Sequence, residues 1–327
     1  MHYGLTIPFD PVPLADHPAI LDAAVAAGFT DLWSSEVNGS DAFTPLAQAA
    51  VLHPELRLGT AIVPAFTRSP ALIAMSAASL ADLRPAEVLL GIGASSNVIV
   101  ENWNGVPFEA PYQRTKDVAM FLRRAFTEDK VDMETPSFTI KGFRLGRVPE
   151  RRPKVLIAGL RPGMLRLAGR ESDGAILNWL SPEDVSKVVP HVEEGRSEPP
   201  EIVARLFVIA STDIEVVRAQ AKRSIAAYLN VPVYAAFHEW LGRGPVLETM
   251  WSAWKAGDRK AALAAVPDSL VDELFIYGTP EECASRVADY VRAGVTTPML
   301  SLSAPGGDPA ARIPQFTRSL IEQASAA

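Results

Sequence analysis

The 327-residue chain has one cysteine, Cys283. A single cysteine excludes an internal disulfide, and no ligand pattern around it suggests a zinc cluster. It falls in the helical stretch Glu281-Glu282-Cys283-Ala284, where a small packed side chain is expected. No run approaches the roughly 20 apolar residues that a membrane-spanning helix needs. Met1 to Asp10 passes straight into a strand-like segment, with no basic region followed by a cleavable apolar run. That argues against export, and the expected compartment is the cytoplasm. Positive charge is also scarce: 31 basic against 38 acidic residues give a net charge of −7. Such a surface repels nucleic acid and anionic membranes unless basic residues cluster. Arg144, Arg147, Arg151, Arg152 and Lys154 do cluster, around a proline-containing loop, and read as a solvated loop with room for an anion contact. A G-x-S-x-G elbow and an H-E-x-x-H pair are both missing, and the five histidines are scattered. Metal sites and catalytic triads are therefore unsupported. His17 and His53 each precede a proline near a helix end and read as structural. His238 lies in an aromatic-rich segment and is a candidate catalytic residue.

What the chain has is apolar bulk, 48% of its residues, arranged in alternation. Short runs that are apolar on both faces are separated by helical patterns, the signature of parallel strands. The runs are His2–Pro8, Asp31–Glu36, Leu56–Val63, Glu87–Gly93, Lys154–Gly159, Gly174–Trp179, Glu201–Ala210 and Thr297–Leu302. Eight is the number at which a parallel sheet can close. The expected fold is thus a (β/α)8 TIM barrel occupying residues 1–327 as one domain. Ser181-Pro182-Glu183-Asp184 and Thr279-Pro280-Glu281-Glu282 read as helix starts, with a capping hydroxyl, a first-turn proline and acids at the positive helix end. Val131–Leu145 reads as a small β-hairpin before strand 5. The segment at about 212–277, after strand 7, reads as a helical insertion carrying Tyr228, Tyr234, Phe237, Trp240, Trp251 and Trp254. A segment leaving a barrel strand emerges at the C-terminal face, where active sites lie, so this insertion is a candidate lid whose aromatics also suit a satellite core. There is no low-complexity tract or further repeat, and Ala324–Ala327 are expected to fray.

Barrel topology makes strand ends the site candidates. Strand 4 ends in Gly91-Ile92-Gly93-Ala94-Ser95-Ser96, which departs from a dinucleotide fingerprint at its third position. Its small residues would let a flat ring approach the backbone. Gly159-Leu160-Arg161-Pro162-Gly163 turns strand 5 into a helix whose free amides form a natural phosphate seat. Glu36, at the end of strand 2, is the best-placed carboxylate. Burial beside an apolar cofactor would suit it to general-acid work, and a supporting hydrogen-bond role is equally open.

The chain resembles the luciferase-like monooxygenase superfamily, in particular its coenzyme F420-dependent oxidoreductases. The resemblance rests on Ala26-Ala27-Gly28-Phe29-Thr30-Asp31-Leu32-Trp33, Leu58-Gly59-Thr60-Ala61-Ile62-Val63-Pro64, Arg68-Ser69-Pro70 and Leu90-Gly91-Ile92-Gly93. Trp103-Asn104-Gly105-Val106-Pro107-Phe108, Ala168-Gly169-Arg170-Glu171-Ser172-Asp173-Gly174 and the hairpin Phe138–Leu145 extend it over nearly the whole length. It implies a non-prolyl cis peptide at Ala61–Ile62 that sets Ile62 behind the cofactor ring. It places the cofactor phosphate at Gly159, Leu160 and Arg161, and ring contacts at Ser35, Glu36, Gly93, Ala94, Ser95 and Asn178. Arg161, Arg114 and the Arg144–Lys154 loop are candidates to line a groove for the anionic F420 tail. Alcohol-oxidising relatives carry an Asp-His pair at the end of strand 2 and a glutamate after the strand 4 glycines. This chain has Glu36-Val37 and Ser96 there. Without the imidazole an alcohol proton has no evident base. The implied activity is hydride transfer between the deazaflavin C5 and a small organic substrate, with reduction of an activated double bond favoured over alcohol oxidation. The alternative is an FMN-dependent monooxygenase supplied with reduced flavin by a partner reductase, and a homodimer through the Ala-rich faces Phe43–Ala50 and Ala71–Ala81 is also admitted. A lyase or aldolase barrel would want a lysine at a strand's C-terminal end, and Lys154 opens its strand instead.

Overall fold

The computed structural model describes residues 2–9, 12–303, 305 and 316–323, so the fraying expected of Ala324–Ala327 lies outside the described residues. The first half runs β1 (Gly4–Thr6), α1 (Pro18–Ala26), β2 (Asp31–Ser34), α2 (Phe43–Leu52), β3 (Arg57–Thr60), β4 (Val63–Pro64), α3 (Pro70–Asp82), β5 (Glu87–Gly93) and α4 (Pro111–Ala125). A hairpin of β6 (Val131–Glu134) and β7 (Thr139–Phe143) follows, then β8 (Lys154–Ala158), α5 (Pro162–Glu171), β9 (Gly174–Asn178), α6 (Pro182–Glu193) and β10 (Glu201–Ile209). The insertion comprises α7 (Ile214–Leu229), α8 (Pro232–Trp240), α9 (Gly244–Lys255), α10 (Arg259–Ala265), α11 (Asp268–Leu274) and β11 (Phe275–Tyr277). The chain then forms α12 (Pro280–Arg292) and β12 (Thr297–Ser303).

The strands β1, β2, β3, β5, β8, β9, β10 and β12 pair in that order, all parallel, and β12 pairs back to β1. The ring is closed, and its eight strands are those expected from the apolar runs. Helix starts follow the local chemistry. Ser181 and Asp184 form a reciprocal capping box on α6, Thr279 and Glu282 do the same on α12, and Ser69 Oγ accepts from Leu72 N at the start of α3. Cys283 is buried in the layer between helices and sheet, and burial pushes its thiol up to about 12, in keeping with an inert packed side chain.

Inward side chains stack in layers. At the N-terminal end, Arg57 bonds Asp31 (2.5 Å), Glu201 (3.2 Å) and the Thr297 hydroxyl (2.9 Å), while Lys154 pairs with Glu87 (2.8 Å). Although burial opposes ionisation of Asp31 and Glu201, their hydrogen bonds and Arg57 hold both carboxyls below the ordinary range. Above this layer Trp33, Leu89, Leu156, Ile176, Val203 and Met299 fill the barrel. Trp33 fits because two facing residues lack a side chain: a Cβ on Gly59 would lie 2.2 Å from its ring, and one on Gly4 2.7 Å.

Two features depart from the expected pattern. The third strand, expected to run unbroken over Leu56–Val63, is divided into β3 and β4. The insertion, expected to be helical throughout, ends in β11, which pairs with the upper half of β10 (Phe207 with Phe275, Ile209 with Tyr277) while β9 pairs with the lower half. β10 is thus bordered on one side by β9 below and β11 above, and the barrel wall opens just past Asn178.

Candidate active site

The division of β3 shapes the floor of the site. Gly59 is level with Leu89, but Val63 is level with Ile92, so the β3–β4 side carries one residue more than β5. That is a β-bulge, which bends a strand and re-aims its side chains. The peptide bond between Ala61 and Ile62 is cis, as the resemblance implied. Ile62 is aimed across the barrel mouth toward β5: a Cβ on Gly93 would lie 3.2 Å from Ile62 Cδ1 and 3.1 Å from Ala158 Cβ. Glu36 joins this corner through its backbone, its N–H donating to Ile62 O (3.2 Å). The loop after β5 leaves with Ser95 at φ +68°, and the β9 end turns with Trp179 at φ +56°. Both are non-glycine residues in the left-handed region, a conformation concentrated at functional rims.

Next along the rim, β8 is followed directly by Gly159, where a Cβ would lie 3.2 Å from Leu165 N, so the glycine lets α5 pack tightly over the strand end. Arg161 is the exposed N-cap residue, and the first intrahelical bond is Leu165 N–H to Arg161 O (3.0 Å). The amides of Gly163 and Met164 therefore face outward at the positive end of a ten-residue helix. Of the sequence-derived site residues, the structure gathers Ser35, Glu36, Ala61, Ile62, Gly93, Ala94, Ser95, Gly159, Leu160, Arg161 and Asn178 at C-terminal strand ends.

Glu36 is not free. Arg68 Nε donates to both of its oxygens (2.9 and 3.1 Å), Arg68 Nη2 donates to Oε1 (2.5 Å), and Ala42 N–H adds a fourth bond (3.2 Å). Chiefly through its bond to Glu36, Arg68 is held more firmly protonated than usual. A cavity of about 230 Å³ lies beside this pair, among the loops after β2, β4 and β5. His238 lies apart from the rim. It is fully buried on α8, against the Trp179 backbone and beside the Asp184–Arg243–Glu273 ion cluster. Burial, and then Arg243, push its pKa down to about 4. A hollow of about 510 Å³ borders the same cluster on the outside of the barrel and is lined mostly by charged side chains, unlike a floor for a flat ring.

The basic loop is a further correction. Residues 144–153 lead into the N-terminal end of β8, the opposite end of the barrel from the site, where Lys154 pairs with Glu87. Arg114 is likewise engaged, donating to Ala65 O (2.9 Å) and Ser137 O (3.3 Å) between the rings of Phe66 and Phe138.

Arg205 and Gln220 at the mouth were not singled out from the sequence, whereas Asn178, Tyr228 and Tyr234 were. Arg205, inward on β10 by alternation with Val203, donates to Ser301 Oγ (3.2 Å) and lies over Phe207 at 5.3 Å. Its signal was a lone charge inside the apolar run Glu201–Ala210. Trp179 stacks on Phe207 (4.2 Å between centroids) and Tyr228 (5.2 Å), and Tyr228 meets Tyr234 edge-on (6.3 Å), so an aromatic wall climbs from the barrel into the insertion. Gln220 Nε2 donates to Ser303 Oγ (2.5 Å), fastening α7 to β12. Asn178 Nδ2 donates to Tyr234 Oη (3.4 Å), and Asn178 Oδ1 is buried without a partner. An orphaned buried acceptor is costly unless a ligand meets it. With the glycine-lined floor and the outward amides of α5, it fits a flat ring bearing an N–H edge and a phosphate tail. Among the described residues, no group of three or more His, Cys, Asp and Glu side chains is arranged to hold a metal ion, and no helix is long and apolar enough to cross a membrane.

The chain matches the family model described as luciferase-like monooxygenase over residues 1–297 and belongs to that family. It is 28% identical over 309 residues to a 5,10-methylenetetrahydromethanopterin reductase of Methanolobus tindarius, covering 90% of this chain and 92% of the relative. It is 29% identical over 273 residues to an F420-dependent glucose-6-phosphate dehydrogenase of Rhodococcus hoagii, covering 81% and 77%. The coenzyme F420-dependent tetrahydromethanopterin reductase of Methanopyrus kandleri superimposes with a TM-score of 0.80 over 99% of this chain and 98% of its own, at 20% identity. The family and barrel inferred from the sequence are borne out, and with them an oxidoreductase of the luciferase-like type.

Proposed function

We propose that the protein is an F420-dependent oxidoreductase that transfers hydride between the deazaflavin C5 and a small organic substrate, acting as a reductase of an activated C=C or C=N bond. The observation that carries this reading is the floor of the barrel mouth: a bulged strand presents Ile62 beside Gly93, at the same rim as the free amides of α5. Gly93, Ala94 and Ser95 would receive the ring, Asn178 Oδ1 its N–H edge, and Gly159, Leu160 and Arg161 its phosphate. The bound deazaflavin supplies hydride chemistry that no amino-acid side chain offers. The protein's part is to hold the ring against Ile62, to wall off water with Phe207, Trp179, Tyr228 and Tyr234, and to orient the substrate.

Glu36 serves in this reading as a positioning residue. Its four hydrogen bonds tie the loops after β2 and β4 together, and a carboxylate so engaged is poorly placed to give up a proton. Val37 stands where alcohol-oxidising relatives carry histidine, which favours reduction. The named relatives favour deazaflavin over FMN, since their names refer to F420 or to a methanopterin reductase. A small-molecule substrate and a partner enzyme that regenerates the reduced cofactor complete the proposal. So does a homodimer through α2 and α3, whose outward faces expose Val51, Leu52, Leu72 and Met75.

The test is to mix the protein with reduced F420 and a panel of enones and cyclic imines and to follow the deazaflavin absorbance, then to repeat it with oxidised F420 and alcohols. Return of absorbance only with the unsaturated compounds supports the reading. Bleaching with the alcohols, or turnover only with reduced FMN and oxygen, contradicts it.

A further inference from the structure

We infer that Tyr234 is the catalytic proton donor of this site, giving its hydroxyl proton to the substrate atom next to the one that receives hydride, with Asn178 as its positioning residue. The inference rests on the reductase reading above. Adding hydride to one end of a double bond leaves an electron pair on the other end, and a proton must meet it there. Glu36 is tied to Arg68 through both oxygens, and His238 is buried against the Trp179 backbone. Two phenols stand in the wall of the described mouth, Tyr228 and Tyr234, and Tyr234 is the one bonded to a strand-end side chain, Asn178.

Tyr234 comes from α8 and reaches the end of β9 from above. With the Asn178 amide oriented as found, its N–H donates to the tyrosine oxygen at 3.4 Å, so the tyrosine's own hydrogen is left for another acceptor. Asn178 and Arg205 are level with one another on β9 and β10, both inward, so the hydroxyl stands over the opening. Three groups on the neighbouring elements act on it: Asn178 from β9, Arg205 from β10 and Tyr228 from α7. Burial raises the pKa of Tyr234 above the ordinary phenol range, while Asn178 and Arg205 pull the other way. The donor is thus loaded at neutral pH, and the phenolate left after transfer is stabilised by an amide N–H and a guanidinium. In the step itself the phenol O–H bond breaks, a bond from hydrogen to the substrate carbon or nitrogen forms, and the hydride comes from the reduced deazaflavin. Water returns a proton to the phenolate before the next cycle.

Tyr234→Phe keeps the ring and removes the proton, so it separates the role from packing. With reduced F420, and 2-cyclohexen-1-one and a cyclic imine as probes, the variant should turn over roughly 100-fold more slowly than wild type at saturating probe, the size of a general-acid contribution. Its F420 affinity, read by fluorescence quenching, should be unchanged. Asn178→Ala, read at saturating F420 because this residue is also assigned the ring edge, should fall between the two in rate. A second readout needs no cofactor. The tyrosinate absorbance titration of wild type minus that of Tyr234→Phe should show one phenol ionising above the ordinary range, and Arg205→Met should move that component higher still. A Tyr234→Phe rate within about threefold of wild type overturns the inference, as does a Tyr234 component that titrates normally. So does a wild type that binds F420 yet reduces neither probe. A wild type that fails to bind F420 overturns the functional reading instead.

Discussion

Gly91 lies on β5 directly beneath the bulge, and replacing it with alanine tests whether the bulge is held by packing. The new Cβ would sit 2.0 Å from Thr60 O and 2.3 Å from Ile176 Cδ1. Comfortable contact begins at about 3.5 Å, so more than an ångström must be opened between β3, β5 and β9. The Thr60 backbone cannot retreat without also moving its hydroxyl, which donates to Gly91 O at 2.8 Å. Overpacking of this kind costs ~1–3 kcal/mol, and a strained hydrogen bond adds up to ~1 kcal/mol. With an unfolding entropy of ~2.1 cal/mol/K per residue, a loss of ~3 kcal/mol lowers Tm by roughly 4 °C. Because Thr60 leads straight into Ala61 and Ile62, F420 affinity should fall at least ~10-fold as the floor shifts. Thermal unfolding by circular dichroism and cofactor fluorescence quenching read the two effects. Gly146→Ala is the control, since no atom lies within 4 Å of its added Cβ. If Gly91→Ala matches that control in Tm and binding, the packing account of the bulge is wrong.

Glu36→Gln should leave turnover of the unsaturated probes at saturating F420 within about threefold of wild type and lower stability by ~1 kcal/mol through the weakened Arg68 contact, whereas a rate ~100-fold lower would restore Glu36 as the acid. His238 takes up a proton at an ordinary 6.5 when unfolded but only near 4 when folded. Its contribution, a few kcal/mol at most, is therefore complete above pH 6.5 and lost as the pH falls toward 4; urea midpoints across that window should slope for wild type and flatten for His238→Gln. If α2 and α3 form the dimer face, Leu72→Glu with Met75→Glu should halve the mass seen by light scattering without lowering Tm by more than a few degrees, and an unchanged mass would remove that interface.

The barrel was legible because its strands are buried on both faces. After its opening glutamate, Glu87–Gly93 reads as apolar, with glycines where a neighbour presses close. The capping boxes at Ser181 and Thr279 are local chemistry and read just as directly. What escaped depends on distant partners. Phe275-Ile276-Tyr277 continues a helical pattern and becomes a strand only because β10 outruns β9. The one-residue slip at Ala61 leaves the apolar pattern of Leu58–Val63 intact, so only the resemblance pointed to it. Glu36 stayed open between an acid and a supporting hydrogen-bond role because nothing in the local sequence tells that Arg68, 32 residues on, folds back to grip it. Tyr234 was grouped with all the insertion's aromatics, read as a lid that also suits a satellite core, and some of them do pack in such a core: Trp251 donates its indole N–H to Leu229 O (2.8 Å). The basic loop was the avoidable error, because a segment that precedes a barrel strand must lie at the end opposite the site.

Titration of oxidised F420 and, separately, FMN into the protein while following cofactor fluorescence addresses the central claim most directly. Saturable quenching of F420, weakened at least ~10-fold in Gly91→Ala and without a counterpart for FMN, is the predicted result. Quenching of FMN alone, or of neither cofactor, would contradict it.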